Sequence, residues 1–177
     1  ITELCGNLNI KALTLFAFSD ENWRRPQDEV NGIMSLLRLY IRKERQRILE
    51  KNVQFRVIGD KNKLSHDIVT LIDNLEQDTQ KNTGLFLTIA LSYGGRGEIL
   101  RATKKIASKI KNNEISLDEI DEQLFESCLD TCDLPQLDMF IRTSGEYRIS
   151  NFLLWQLAYA ELFLDATLWP DFNSTQF

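Results

Sequence analysis

Short β-rich runs alternate with longer helical patterns along the chain, and this alternation constrains the fold most. The β-rich runs lie at residues 11–18, 53–58, 85–92 and 137–142. Apolar residues at helical spacing predict helices at about residues 28–51, 65–79 and 97–111. Ser116 and Glu119 have the spacing of a capping box, which predicts a further short helix through Glu126. This order predicts an α/β fold with a mainly parallel central sheet, flanked by helices on both faces.

Length and charge exclude several classes of protein. A chain of 177 residues fits one domain, residues 1–177, with a sizeable core. The net charge of −5 argues against a nucleic-acid partner, since such proteins carry a basic surface. No apolar run is long enough to span a bilayer, and the three cysteines form an odd, sparse set without paired metal spacing. We therefore expect a cytoplasmic protein with reduced thiols.

Three segments that follow predicted strands share arginine and hydroxyl residues, and the second and third also contain glycine. Their sequences are FSDENWRRP, SYGGRGE and IRTSGEYRIS, which begin at residues 18, 92 and 141. In open α/β sheets, ligands bind outside the carboxyl ends of the strands. The sequence therefore predicts that all three segments meet at one edge of the sheet and form a binding site there.

The segment IRTSGEYRIS has the composition of an anion site. Arg142 and Arg148 are permanent cations that can bind phosphate oxygens bidentately, and Ser150 adds a hydroxyl ahead of a predicted helix. These residue types fit a phosphate or a diphosphate. In the alternative interpretation, both arginines form a structural ion-pair network with Glu146 and Glu161. The residues by themselves leave both interpretations open.

The other two segments also allow two interpretations. FSDENWRRP could wall a site with an apolar and an anionic part, through Ser19, Glu21, Asn22, Trp23 and Arg25. It could equally be a loop that begins a helix, with Ser19 or Asp20 as the cap and Trp23 packed. SYGGRGE resembles a phosphate-binding glycine loop, although it lacks the spacing and the lysine of a P-loop. Alternatively, its glycines only permit a tight turn and Arg96 pairs with an acid.

Together, the three segments strongly resemble the cis-prenyltransferases, the undecaprenyl diphosphate synthase family. The blocks AFSDENWRRP, SYGGRGEIL and DMFIRTSGEYRISNFLLWQLAYAELF…LWPDF occur in the family's order, and the likeness covers essentially all 177 residues. The spelling of the last block resembles that of bacterial members. The resemblance implies an enzyme that repeatedly condenses isopentenyl diphosphate onto an allylic diphosphate such as farnesyl diphosphate. The implied product is a cis-polyprenyl diphosphate, namely undecaprenyl diphosphate, a membrane carrier lipid for cell-wall sugars.

The resemblance also implies roles for individual residues. It assigns the diphosphate of isopentenyl diphosphate to the arginine–isoleucine–serine turn, comprising Arg142, Arg148, Ile149 and Ser150. It places the substrates against the first block, at Ser19, Asp20, Glu21, Trp23 and Arg25. Glu161 matches a Mg²⁺ ligand, and Asn22 matches the position that the family treats as the proton acceptor. A carboxamide is a very weak base, so we expect Asn22 to orient the substrate or a water while a diphosphate oxygen takes the proton.

The family pattern also has parts that this chain does not match. Its opening strand and aspartate–glycine–asparagine–arginine loop, which bears an essential Mg²⁺-binding aspartate, have no counterpart in this sequence. Its C-terminal tail is absent as well. We therefore expect a central part of the fold, with an unpaired sheet edge beside the strand at residues 11–18. With Glu161 as its only matched Mg²⁺ ligand, residues 1–177 alone are expected to be inactive.

The apolar segment at residues 151–163 predicts a helix and, through it, a homodimer. The segment is apolar around almost its whole circumference, so one sheet face would leave part of it uncovered. Such a helix would separate Ser150 from Glu161 by about 16 Å along its axis, too far for one diphosphate–metal cluster. A two-fold interface would instead bring Glu161 toward the neighbour's site.

The alternative function is a non-catalytic partner subunit, although such subunits lose the motifs that this chain keeps.

Overall fold

The computed structural model describes all residues 1–177, and its contacts divide the chain into two compact units. The first unit is Ile1–Tyr93 and the second is Gly94–Phe177. Each unit contains its own parallel sheet.

The first unit alternates helices with the three strands of one parallel sheet. Its elements are α1 (Thr2–Asn7), β1 (Ala12–Ser19), α2 (Gln27–Glu50), β2 (Gln54–Ile58), α3 (His66–Thr79) and β3 (Phe86–Tyr93). The strand order is β1–β3–β2, so β1 has one unpaired edge, as expected. The sequence predicted all of these elements to within two residues except α1, which it missed.

Helical spacing explains how α3 packs in the first unit. Ile68, Ile72 and Leu75 recur every three or four residues on one face, and each is at most 1% exposed. These side chains share the core with apolar residues of α2 and the strands, including Met34 and Leu91. Burial of this face, rather than helix propensity alone, stabilises the helix.

A bulge near the end of β1 sets the direction of the chain where it leaves the sheet. The pairing of β1 with β3 shifts register between Phe16 and Phe18, and again between Phe18 and Ser19. A bulge bends a strand and changes the face on which the next side chain lies. Phe18 is consequently buried, and the chain enters its first polar loop at Ser19.

The second unit contains two helices and a two-stranded parallel sheet. Its elements are α4 (Gly95–Lys111), α5 (Glu122–Ser127), β4 (Met139–Arg142) and β5 (Glu161–Leu164). The predicted capping box is present, because the backbone N–H of Ser116 donates to the Glu119 carboxylate over 2.8 Å. It begins a 3₁₀ turn, and α5 follows it.

The helix predicted at residues 151–163 is wrong. Helical hydrogen bonds are confined to short turns, from Leu157 to Leu153 and within the 3₁₀ segment Gln156–Tyr159. Glu161 does not end a helix but begins β5, which pairs in parallel with β4. The backbone reason is a left-handed φ at Asn151 (61°) and Leu153 (44°), which an α-helix cannot contain.

This correction removes both helix-based arguments for the homodimer. Without a continuous helix, neither the apolar circumference nor the 16 Å axial separation describes the segment. A short apolar run fits a strand as well as a helix, so its periodicity could not decide between them.

The α/β class with parallel strands and flanking helices is confirmed. No helix in the structure is both long enough and apolar enough to cross a bilayer. The single-domain assignment remains a prediction, since the chain separates into two contact units.

Candidate functional site

The loop after β1 is a closed 3₁₀ turn at Asp20–Arg24. The backbone N–H of Ser19 donates to Oδ1 of Asn22 over 2.9 Å, so the Asn22 carboxamide closes the turn on itself. This bond uses one of the two lone pairs of the carboxamide oxygen and leaves the NH₂ group as a donor. A carboxamide is also a very weak base.

Trp23 joins this loop to the end of β3. Its Nε1 donates to Oγ of Ser92 over 2.9 Å, and its ring packs edge-on against Phe18 with centroids 5.0 Å apart. Ser92 is fully buried and has a φ of 50°, which is unusual for a residue other than glycine. The carboxyl ends of β1 and β3 therefore meet, as predicted for the first and second segments.

The end of β2 contributes a third loop to this edge, which the sequence analysis missed. The ammonium of Lys63 lies 2.9 Å from Oδ1 of Asp20, and the N–H of Asp60 donates to the carbonyl of Ser92 over 3.0 Å. Gly59 makes the close approach possible, since its φ is +119° and a Cβ there would lie 2.1 Å from the Leu91 carbonyl oxygen. The glycine–aspartate pair after β2 was the available signal for this loop.

The remaining predicted residues of this loop lie at its exposed side. Arg25 pairs with Glu29 over 2.6 Å, and both side chains are about half exposed. Glu21 is exposed as well. The loop thus combines features of both interpretations, because Asn22 and Trp23 hold it in place while Glu21 and Arg25 are exposed.

In the second unit, Arg142 and the turn after it are held by the segment that follows β5. The Arg142 carbonyl accepts from the N–H of Asp165 over 2.8 Å, and the N–H of Ser144 donates to the Thr167 carbonyl over 2.8 Å. The Thr167 hydroxyl and N–H both hydrogen-bond to the Asp165 carboxylate, which lowers its pKa. The Asp165 carboxylate thus holds Thr167, whose carbonyl in turn accepts from Ser144.

The proposed structural ion-pair network is present only in part. Arg148 pairs with Glu146, two residues earlier, and its side chain remains 63% exposed. Arg142 and Glu161 take part in no ion pair in the structure. One short-range pair does not lock both guanidinium groups, so they remain able to meet a ligand.

The glycine segment before α4 does not form an open phosphate loop. The N–H of Gly95 donates to the Asn151 carbonyl over 2.7 Å, and the N–H of Arg96 donates to Oδ1 of Asn151 over 2.9 Å. Arg96 forms no ion pair, so the acid-pairing interpretation is not realised either. The segment instead contacts the residue that follows Ser150.

A buried carboxylate in α4 also holds this part of the second unit together. Glu98 is 1% exposed and accepts from the Asp130 N–H over 2.9 Å and from Nε2 of Gln156 over 3.1 Å. The same Nε2 donates to the hydroxyl of Thr131 over 2.8 Å. Sequence analysis missed this network, because its members are distant along the chain.

The predicted metal ligand Glu161 lies on an exposed strand. The N–H of Glu161 donates to the Asp138 carbonyl over 2.8 Å, and Glu161 is exposed. No three acidic, histidine or cysteine side chains cluster closely enough to hold a metal ion. A single exposed carboxylate fits Mg²⁺ only where other oxygens complete the shell, as substrate phosphates often do.

The chain is similar to known prenyltransferases over its whole length. A prenyltransferase family model, described as undecaprenyl diphosphate synthase, matches residues 1–177. An isoprenyl transferase from Aquifex aeolicus is 48% identical over 177 residues, which cover all of this chain and 74% of the relative. The ditrans,polycis-undecaprenyl-diphosphate synthase of Vibrio cholerae, named as specific for (2E,6E)-farnesyl diphosphate, is 48% identical over 95% of this chain and 67% of its own length.

A solved structure shares the fold. Lavandulyl diphosphate synthase from Lavandula x intermedia, in complex with dimethylallyl diphosphate, matches with a TM-score of 0.94 at 35% sequence identity. The match covers 99% of this chain and 76% of that structure.

Proposed function

The chain belongs to the undecaprenyl diphosphate synthase family of prenyltransferases, and we propose that it condenses isopentenyl diphosphate onto an allylic diphosphate such as farnesyl diphosphate. The product is a cis-polyprenyl diphosphate, and undecaprenyl diphosphate is the expected chain. The observation that carries this proposal is the family match across residues 1–177. Two motifs are intact within it: the arginine–serine turn, which contains Arg142, Arg148 and Ser150, and the asparagine–tryptophan loop, which contains Asn22 and Trp23.

The arginine–serine turn is the proposed site for the diphosphate of isopentenyl diphosphate. Arg142 and Arg148 would bind its oxygens, and the Ser150 hydroxyl would donate a hydrogen bond to it. Ile149 would set the spacing between Arg148 and Ser150. Support comes from Arg142, which no acid neutralises, and from Arg148, whose side chain is largely exposed. Charge-assisted bonds of this kind are stronger than neutral ones.

The loop after β1 is the proposed site for the reacting ends of both substrates. Its substrate-binding residues are Ser19, Asp20, Glu21, Trp23 and Arg25, with Asn22 at the reacting centre. The backbone N–H of Ser19 donates to the side-chain oxygen of Asn22, so the NH₂ group of Asn22 would orient a substrate oxygen or a water. A diphosphate oxygen, which is a stronger base than a carboxamide, would take the proton.

Mg²⁺ is the proposed cofactor, and Glu161 is the residue of this chain that would hold it together with substrate oxygens. The bound ion would neutralise the negative charge that develops on the departing diphosphate. The arginines would stabilise the same charge from preorganised positions. Since Glu161 has no partner carboxylates, we propose that residues 1–177 alone are inactive.

We also propose a homodimer, on a different basis from the predicted helix. Strands β4 and β5 carry apolar side chains that are 42–59% exposed, namely Met139, Leu162, Phe163 and Leu164. Leu162 and Leu164 are neighbours on one face of β5, and exposed apolar neighbours of this kind are typical of an interaction site. The three free cysteines fit a reducing bacterial cytoplasm, from which the hydrophobic product would pass to the membrane.

The experiment is a prenyl-transfer assay with radiolabelled isopentenyl diphosphate and farnesyl diphosphate, on the protein in its complete natural form. Butanol-extractable label that requires both substrates and Mg²⁺ is the expected result. A well-folded protein that yields no extractable product under any metal condition contradicts the proposal and favours the non-catalytic partner subunit.

A further inference from the structure

The backbone immediately after the proposed diphosphate turn is unusually strained. Ser150 has a φ of 50°, Asn151 of 61° and Leu153 of 44°. Left-handed conformations are uncommon outside glycine and persist where the surroundings enforce them. Something in the second unit must therefore hold these residues in place.

The beginning of α4 holds Asn151 through its backbone carbonyl and its side-chain oxygen. The Asn151 carbonyl accepts from the N–H of Gly95, and the Asn151 side-chain oxygen accepts from the N–H of Arg96. These N–H groups belong to the first turn of α4, where no intrahelical partner is available. One residue thus satisfies two free helix donors and is fixed by them in return.

Gly95 is required for the approach that these bonds need. A Cβ at this position would lie 2.7 Å from Cγ of Leu154 and 3.0 Å from its backbone nitrogen. The φ of Gly95 is not in the left-handed range, so space rather than conformation explains the glycine. The glycine segment is a contact surface for residues 151–154.

These contacts also bear on whether the beginning of α4 can bind a phosphate directly. The N–H groups of Gly95 and Arg96 are used by Asn151, and that of Glu98 donates to the Gly94 carbonyl over 2.9 Å. Donors already engaged in this way are not available to a phosphate. Through the two bonds to Asn151, the glycine segment holds the turn that precedes that residue.

We propose that Asn151 is a positioning residue for isopentenyl diphosphate, which holds the Arg148–Ser150 turn in its binding conformation through the first turn of α4. The proposal rests on the function proposed for that turn. Asn151 does not touch the substrate. Its carboxamide fixes the left-handed backbone at residue 151, and that backbone fixes the direction of the Ser150 hydroxyl.

Two substitutions separate the hydrogen bond from the backbone strain. Asn151→Gly removes the carboxamide but adopts a left-handed φ freely, whereas Asn151→Ala removes the carboxamide and also penalises that φ. Asn113 offers a matched control, because it has a similar φ of 56° at the other end of α4 and is exposed. Asn113→Gly and Asn113→Ala reproduce the conformational effects away from the turn.

The measurement compares steady-state kinetics of the complete protein and its four variants. Both Asn151 variants should raise KM for isopentenyl diphosphate by up to about tenfold, since the lost hydrogen bond holds the turn, with a larger rise for alanine. The KM for farnesyl diphosphate and kcat should change less than about twofold. The Asn113 variants should match the wild type in all three constants.

Several outcomes would overturn the proposal. An unchanged KM for isopentenyl diphosphate in both Asn151 variants does so, as does an equal loss in kcat and both KM values with a large fall in Tm. If the wild type shows no turnover, calorimetry with inorganic diphosphate still tests Asn151. Weaker binding in the Asn151 variants than in the Asn113 variants then supports positioning while the proposed activity fails, and equal binding overturns it.

Discussion

Nε1 of Trp23 donates a hydrogen bond to Oγ of Ser92 over 2.9 Å, and this bond connects the loop after β1 to the end of β3. The residues are 69 positions apart in the chain. Because Ser92 is fully buried and the Trp23 ring also packs against Phe18, the bond fixes the position of the asparagine–tryptophan loop relative to the sheet.

Trp23→Phe tests whether this bond positions the loop for catalysis. Phenylalanine keeps an aromatic contact with Phe18 but leaves the buried Ser92 hydroxyl without its donor, so stability should fall by about 1–2 kcal/mol. The KM for the allylic substrate should also rise. Trp169→Phe is the control, since Trp169 is half exposed and stacks only on Phe172. Equal KM values in both variants would contradict the positioning role.

Arg148→Lys tests the diphosphate turn itself. Lysine keeps the positive charge but loses the bidentate fork, so KM for isopentenyl diphosphate should rise about tenfold or more. The Tm should hardly change, because the ion pair with Glu146 is largely exposed. Arg42→Lys, on the exposed surface of α2, serves as the control. A collapsed Tm with a normal KM would favour the structural network.

The exposed apolar surface of β5 predicts the oligomeric state. Leu162 and Leu164 alternate along the strand, so glutamate at both positions places two charges on one face. Light scattering should show a dimer for the wild type and a monomer for the double variant. Leu117→Glu, at a residue that is 72% exposed outside the sheet, should leave the dimer intact. A folded wild-type monomer at working concentration would refute the homodimer.

Residues 1–177 alone should bind diphosphate weakly but not catalyse prenyl transfer. Arg142, Arg148 and Ser150 are all present, whereas Glu161 is a single exposed carboxylate without partner acids. Such a site cannot organise Mg²⁺ and a leaving diphosphate together. A preparation whose mass spectrum matches 20.6 kDa should therefore give no extractable product. Turnover by that preparation would show that the required carboxylates lie within this chain.

The ion pair between Arg38 of α2 and Asp67 of α3 predicts a pH dependence of stability. The hydrogen bond from Arg38, aided by Ser65, holds the pKa of Asp67 well below its usual range. A carboxyl whose pKa is lowered on folding stabilises the protein above its unfolded pKa of about 3.9. This contribution is lost as the pH falls toward the folded pKa.

Urea unfolding at several pH values measures this effect. Asp67→Asn should lower the free energy of unfolding near pH 7 and flatten its decline below about pH 4. Asp118→Asn, at an exposed aspartate without an ion pair, should follow the wild-type curve. Parallel curves for the wild type and Asp67→Asn would show that the pair contributes nothing.

Local patterns were reliable where one physical effect decided the structure. The apolar spacing in α2 and α3 was long enough to identify both helices, and the alternation of these helices with strands predicted the parallel sheet. Asn22 and Trp23 were identified from their residue types. Their partners Ser19 and Ser92 could not be assigned as such, because hydrogen bonding depends on where the strands end.

The sequence by itself determined the fold class, the family and the residue types that meet a diphosphate, since these depend on periodicity and on side-chain chemistry. Only the tertiary structure decided the path of residues 151–164. There, a run of apolar residues fits either a helix or a strand, and the choice depends on pairing with β4 and on the bonds from Gly95 and Arg96 to Asn151. The strand partners lie 22 positions apart and the partners of Asn151 more than 50, so no local pattern encodes these contacts.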